Sequence, residues 1–150
     1  MGELVSIVYK PAEAPTSGAG YTRIPIQEGN LIAGHGIEGD TKGGGKDRHV
    51  NIMTQETLQA LATEGFTTEP GAMGEQLIVS GLDVNGLAAG ARLQIGETAC
   101  VEIGVPRTGC GIFERHQEKS PQLAAGRLGM MAQVITSGSI RIGDNVKEIK

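Results

Sequence analysis

The chain's two cysteines, Cys100 and Cys110, are its candidates for nucleophilic or soft-metal chemistry. Cys110 stands in Pro106-Arg107-Thr108-Gly109-Cys110-Gly111, after a β-branched run and between two glycines. Glycines there let a partner approach the backbone and the thiol closely. Arg107, Arg115 and His116 all lie within six residues of it. Nearby positive charge favours the thiolate, which is the form that attacks electrophiles and binds metals. Two readings stay open on these residues: a reactive thiolate, or an inert thiol in a turn beside solvated arginines. Cys100 falls inside Ala99–Val105, where Val101, Ile103 and Val105 share one face and Cys100 and Glu102 the other. Its ordinary role there is that of a small buried hydrophobe.

A second constellation lies at residues 34–49. His35, Lys42, Lys46, Arg48 and His49 alternate with Glu38, Asp40 and Asp47 in a glycine-rich stretch. It reads either as a mixed-charge surface loop or as an anion-binding lip, with backbone N–H groups and basic side chains on a phosphate. Within it, Gly34-His35-Gly36-Ile37-Glu38-Gly39 formally fits G-x-G-x-x-G. A dinucleotide site needs a helix opening at the third glycine, and the following Asp40-Thr41-Lys42-Gly43-Gly44-Gly45 cannot supply one. Gly45-Lys46 resembles the end of a P-loop, but the upstream glycine position is Asp40 and Lys46 is followed by Asp47. The spacing of Cys100 and Cys110 is not that of a chelating zinc pair. No G-x-S-x-G or H-E-x-x-H occurs.

The elements that must position these residues read as short strands. Leu4–Tyr9, Tyr21–Gln27, Arg48–Met53, Gln76–Ser80, Arg92–Ile95, Ala99–Val105, Met130–Thr136 and Asn145–Ile149 carry strand-like patterns. Gly29–Asp47 holds seven glycines and reads as a long surface loop. One helix is expected over Gln55–Glu64, with Thr54 as cap, Leu58, Leu61 and Ala62 on one face and Gly65 as stop. Ser120-Pro121 opens a short helix through Leu128.

Composition agrees. Glycine is 24 of 150 residues, roughly double the average, and there are only two Tyr, two Phe and no Trp. Ile and Val suit strands, and abundant glycine suits turns, bulges and barrel corners. The expectation is a mainly β fold, one domain over residues 1–150, a sandwich or barrel. A net charge of −4 and few aromatics argue against nucleic-acid binding. No apolar run reaches the ~18–20 residues of a membrane span. Met1-Gly2-Glu3-Leu4 lacks the basic and apolar regions of a signal peptide. A cytoplasmic location with two free thiols is expected. The oligomeric state is not legible.

Several of these segments together resemble the MOSC domain family, the C-terminal domain type of molybdenum cofactor sulfurases. Arg107-Thr108-Gly109-Cys110-Gly111-Ile112-Phe113 resembles its cysteine segment, and Gly36-Ile37-Glu38-Gly39-Asp40 its early G-x-x-G-D element. Arg48-His49-Val50-Asn51-Ile52 with the Thr54 helix resembles its strand–helix step. Pro70–Leu77, Gly81-Leu82-Asp83 and Leu87–Gly96 resemble its central block, although Gln76 stands where Asn is frequent. Gly129–Val134 through Ile140–Asp144 resemble the closing strands. The ordered set covers roughly residues 30–148.

The resemblance implies a single-domain β-barrel of the MOSC type with one or two short helices. It implies a molybdenum–pterin cofactor, with Cys110 either carrying persulfide sulfur or ligating molybdenum. Thiolate suits both, as a soft ligand and as the group that accepts and passes sulfur. Arg107 and Arg48, then Lys46, His49 and Arg115, would face the cofactor's phosphate, with Gly39 and Asp40 also counted as cofactor-binding. The implied activity is sulfur transfer to the cofactor or reduction of N-hydroxylated substrates. A carrier or storage module without turnover, or an inert interaction domain, are the alternatives. The chain carries no pyridoxal-phosphate domain of its own, so the implied partner is a separate cysteine desulfurase or an electron-donor protein.

Overall fold

The computed structural model describes residues 2–11, 23–41, 49–108, 117, 119 and 121–149. Eleven strands are described: β1 (Gly2–Tyr9), β2 (Ile24–Ile26), β3 (Glu28–Ile32), β4 (Gly36–Ile37), β5 (Val50–Thr54), β6 (Leu77–Ser80), β7 (Arg92–Ile95), β8 (Ala99–Pro106), β9 (Met130–Thr136), β10 (Gly138–Arg141) and β11 (Asn145–Ile149). The helix α1 (Gln55–Thr63) follows β5, and Val84–Gly86 and Pro121–Ala124 form short 3-10 turns. Strands β11-β7-β8-β9-β5-β6-β1 hydrogen-bond in that order. Gly2 and Glu3 of β1 then pair with Val146 and Asn145 of β11, which closes a seven-stranded barrel. The mainly β fold expected from Ile, Val and Gly is observed, and of the sandwich and the barrel left open by composition it is the barrel that the family resemblance implies.

Alternation along the strands fills the barrel. Ile52, Leu77, Val79, Leu93, Ile95, Val101, Ile103, Ala132, Val134 and Val146 belong to one buried cluster. Strands β5 and β6 are the exception to one-sided burial, because they run parallel with Ile52 opposite Leu77. A parallel pair needs a crossover connection, and α1 supplies it. The outer faces of β5 and β6 are thereby covered: Met53 and Ile78 pack with Leu58, Leu61, Phe66, Met73, Ala124 and Leu128 in a second buried cluster. Each such large side chain contributes roughly 1.5–3 kcal/mol by leaving water.

Four expectations need correction. The short helix expected from Ser120-Pro121 through Leu128 is only the 3-10 turn Pro121–Ala124. Thr54 makes no side-chain cap to α1. Its hydroxyl instead donates to the Leu82 carbonyl (2.8 Å) and accepts from the Val84 N–H (2.9 Å), tying the strand–helix corner to the following 3-10 turn. Ala62, expected on the packed face, is exposed, and Leu58 and Leu61 alone carry that face. The supposed long loop over Gly29–Asp47 begins as a hairpin: β3 pairs with β4, and β10 with β3. Leu31 and Ile37 are fully buried there, so two apolar side chains outweigh the entropic cost of the glycines around them. The end of that stretch, 42–47, lies outside the described residues. Among the described residues, no helix is long and apolar enough to cross a membrane.

Candidate functional site

Strand β8 delivers Arg107. Its backbone N–H donates to the Gly129 carbonyl (3.0 Å), which fixes the residue at the start of β9. Its guanidinium donates to the Met73 carbonyl. Met73 belongs to the Gly71–Glu75 turn, and that turn is built around one acid. Glu75 is 0 % exposed. Its carboxylate accepts from the N–H groups of Gly71 (2.5 Å) and Met73 (3.2 Å). Burial pushes the Glu75 pKa up, opposed by these backbone donors and by the Arg23 charge. The stem of Arg23 lies over Gly71, where an added Cβ would come within 3.2 Å of it.

Gln117 reaches the same loop from the other side. Its amide donates to the carbonyls of Thr67 (2.8 Å) and Ala72 (3.0 Å) and accepts from the Thr67 N–H (2.7 Å). Arg107 and Gln117 thus bracket residues 108–116 and are both bonded to the 67–75 loop. Cys110 and Arg115 lie within that bracket; these two, and Lys46 and Arg48 elsewhere in the chain, are outside the described residues.

A second chain of hydrogen bonds runs from the hairpin. Asp40 is 2 % exposed and accepts from the Lys10 N–H (3.0 Å) and from the Gln76 side-chain amide (3.3 Å). Gln76 accepts from the Asn51 N–H (2.7 Å), and the Asn51 amide donates to the Leu128 carbonyl (3.3 Å). Asp40 and Gln76 therefore hold β1, β5 and β6 together beside the hairpin. Gly39 next to them is exposed. At Gly36, φ is +127° and an added Cβ would lie 2.5 Å from the His49 carbonyl oxygen. Only glycine lets the hairpin approach His49 this closely. His49 is buried, and its Nδ1 accepts from the Val134 N–H (2.8 Å). That bond requires an unprotonated Nδ1 and so a neutral ring; a cationic His49 would have to break it.

The structure thus brings Arg107 onto the 67–75 loop and places Gly39, Asp40 and His49 around the hairpin. Sequence reasoning passed over Glu75, Gln117 and Asn51 as site-builders. The Gly71–Gln76 run carried the signal for Glu75, an acid set between glycine and an apolar strand. Nothing in the sequence marks Gln117. Among the described residues, no three His, Cys, Asp or Glu side chains are grouped to hold a metal ion.

Cys100 is buried, and burial pushes its thiol pKa up, with Arg92 pulling it down and Glu102 adding to the rise. A protonated, enclosed thiol is a poor nucleophile. In the folded protein Cys100 is expected to react with iodoacetamide at least tenfold more slowly than in urea, by an order-of-magnitude estimate from its burial and raised pKa. Peptide-resolved mass spectrometry checks this, and equal rates in the two conditions would refute it.

No curated protein matches the chain. Solved structures do. YiiM from Escherichia coli aligns with TM-score 0.73 and 23% identity, over 99% of this chain and 70% of that one. The YuaD protein from Bacillus subtilis aligns with TM-score 0.77 and 17% identity, over 97% and 94%. YiiM from Geobacillus stearothermophilus aligns with TM-score 0.77 and 18% identity, over 100% and 76%. At these identities the likeness is one of fold. The MOSC domain family matches residues 39–147, from the hairpin that buries Asp40 to the strand that closes the barrel. On that match the chain belongs to the MOSC domain family.

Proposed function

We propose that this protein binds a molybdenum–pterin cofactor, or handles its sulfur, through the thiolate of Cys110. MOSC domains are associated with that cofactor, and the family match covers the cysteine segment. The observation that carries the reading is the bracket itself. Arg107, three residues before Cys110, is held on the backbone side by Gly129 and on the guanidinium side by Met73. The described residues fit one part of the group: a half-buried guanidinium on a fixed backbone suits its phosphate. Asp40, by contrast, is placed to brace Lys10 and Gln76, so its contribution would come through the framework.

Bound, the cofactor supplies a redox-active metal centre that takes soft sulfur ligands. The chain's own part is simpler. Arg107, with Arg48, Lys46 and Arg115, would neutralise the phosphate, with His49 and Gly39 lining the same approach. In sulfur transfer, the Cys110 thiolate attacks the outer sulfur of a donor persulfide. The donor's S–S bond breaks, its inner sulfur leaves as thiolate, and Cys110 keeps the outer sulfur as a persulfide. A separate cysteine desulfurase would be that donor; for reduction of N-hydroxylated substrates, an electron-donor protein would take its place. A cytoplasmic setting, which keeps both thiols reduced, belongs to the same proposal.

The test compares wild type, Cys110→Ser and Cys100→Ser, purified under reducing conditions for metal content and pterin fluorescence, and after exposure to a persulfide donor for the mass of one added sulfur. Cys110→Ser is expected to lose both the sulfur adduct and the cofactor, with Cys100→Ser keeping them. A cofactor load unchanged in Cys110→Ser, together with no sulfur on Cys110 in wild type, overturns the proposal.

A further inference from the structure

We infer that Glu75 is a positioning residue for Arg107, acting through the Gly71–Met73 turn. The inference rests on the reading of Cys110 and Arg107 given above and goes beyond it to a residue that touches neither cofactor nor sulfur. The turn presents two N–H groups, of Gly71 and Met73, that a helix or strand would otherwise satisfy. One carboxylate satisfies both. The two N–H groups bond different oxygens of the carboxylate, so an amide in the same place would turn its NH2 donor toward one of them. The Met73 carbonyl shares its trans peptide plane with the Gly74 N–H, which donates to the carbonyl of Gly71 (3.0 Å), the residue whose own N–H the acid holds; the Met73 carbonyl is thereby turned away from the turn and receives the Arg107 guanidinium. Gln117 fastens the same loop at Thr67 and Ala72, so the loop is held on both sides and the acid sets its shape between them. Burying a carboxylic acid is costly, and a plain turn of Gly and Asn would cap the loop without that cost. What the acid adds is a defined direction for one carbonyl, and through it a defined place for one cation.

The experiment reads local charge rather than stability. Alkylation of Cys110 in the full chain is followed by peptide mapping at one fixed pH with two reagents, anionic iodoacetate and neutral iodoacetamide. The ratio of their rates, relative to a synthetic peptide of residues 105–115, reports positive potential at the sulfur. A guanidinium near the sulfur raises that ratio about threefold to tenfold. Wild type is expected to show the raised ratio, and Arg107→Ala to fall to the peptide value. Glu75→Gln is expected to fall likewise, with the Glu75→Gln/Arg107→Ala double variant no lower than either. Glu75→Asp, which keeps a carboxylate on a shorter stem, should recover part of the ratio, and it carries the test where Glu75→Gln does not fold. A wild-type ratio in Glu75→Gln, with a lowered one in Arg107→Ala, overturns the role of Glu75 while leaving that of Arg107; where Glu75→Gln does not fold, a Glu75→Asp ratio that stays at the peptide value does so. A ratio that Arg107→Ala does not change overturns both.

Discussion

Gly129→Ala is expected to lose about 3–5 kcal/mol of folding free energy, the sum of an overpacked contact and a left-handed alanine. Gly129 has φ +88°. A Cβ there would lie 2.3 Å from the Ile52 carbonyl oxygen, 2.7 Å from Met53 Cγ and 2.9 Å from Asn51 Oδ1. Two of these are atoms of β5 that cannot swing aside, since Asn51 is tied to Leu128 and Ile52 sits in the β5–β9 ladder. Gly129 also joins three elements. Its N–H donates to Asn85 (3.2 Å), and its carbonyl accepts from Arg107 (3.0 Å) and from Asn85 (3.3 Å). The same substitution should therefore displace Arg107. Urea titration gives the free energy directly, and a thermal melt should fall by on the order of 10 °C. A loss below about 1 kcal/mol, the ordinary size for a point change, would show that β5 yields more easily than this packing implies.

Glu75→Ala is the second large effect, about 2–4 kcal/mol, because it strands two buried N–H donors at once. The pH dependence separates this from simple loss of packing. The pKa of Glu75 is raised in the folded state, chiefly by burial. Below its unfolded value of about 4.5, the carboxyl is protonated in both states and its contribution is whole. As pH rises from there toward the folded pKa, the unfolded chain releases the proton first, and that part of the stability is lost. The stability difference between wild type and Glu75→Ala should thus be largest near pH 4.5 and shrink toward neutrality. Unfolding free energies of both proteins across that interval decide the point. A difference that grows with pH would mean that the backbone donors, rather than burial, dominate the acid.

Much of the barrel was legible because β-branched alternation reports a half-buried strand whatever its neighbours do. Arg92–Ile95, Met130–Thr136 and Asn145–Ile149 coincide with β7, β9 and β11. The hairpin of β3 and β4 was hidden because its two buried side chains, Leu31 and Ile37, sit among glycines that read as loop. Strand β10 left no pattern of its own, because it has only Ile140 buried in four residues, and its segment showed only through the family resemblance. The corner at Thr54 misled for a different reason. A hydroxyl before a helix satisfies a cap equally well on paper, but Leu82 and Val84 are closer in space and far in sequence. The site divides along the same line. Arg107 was found because it lies near Cys110 in sequence. Gln117 and Asn51 act through backbone groups far along the chain, which leaves no motif; Glu75 acts on N–H groups two and four residues before it, and its signal was the local Gly71–Gln76 run. Asp40 was found for a motif, and the structure gives it a bracing part.

The pairing of Gly2 with Val146 and Glu3 with Asn145 also sets an order of assembly on the ribosome. The first strand to emerge waits for the last to close the ring. Until β11 has cleared the exit tunnel, β7 lacks a neighbour along its length and β1 lacks one at Gly2 and Glu3, and unpaired edges recruit foreign strands. Newly made chains paused before residue 145 are therefore expected to be the aggregation-prone species in the life of this protein. Holdase chaperones would meet it at that stage, and a stalled-ribosome series stepping through β11 should show protease resistance appearing abruptly once that strand is free.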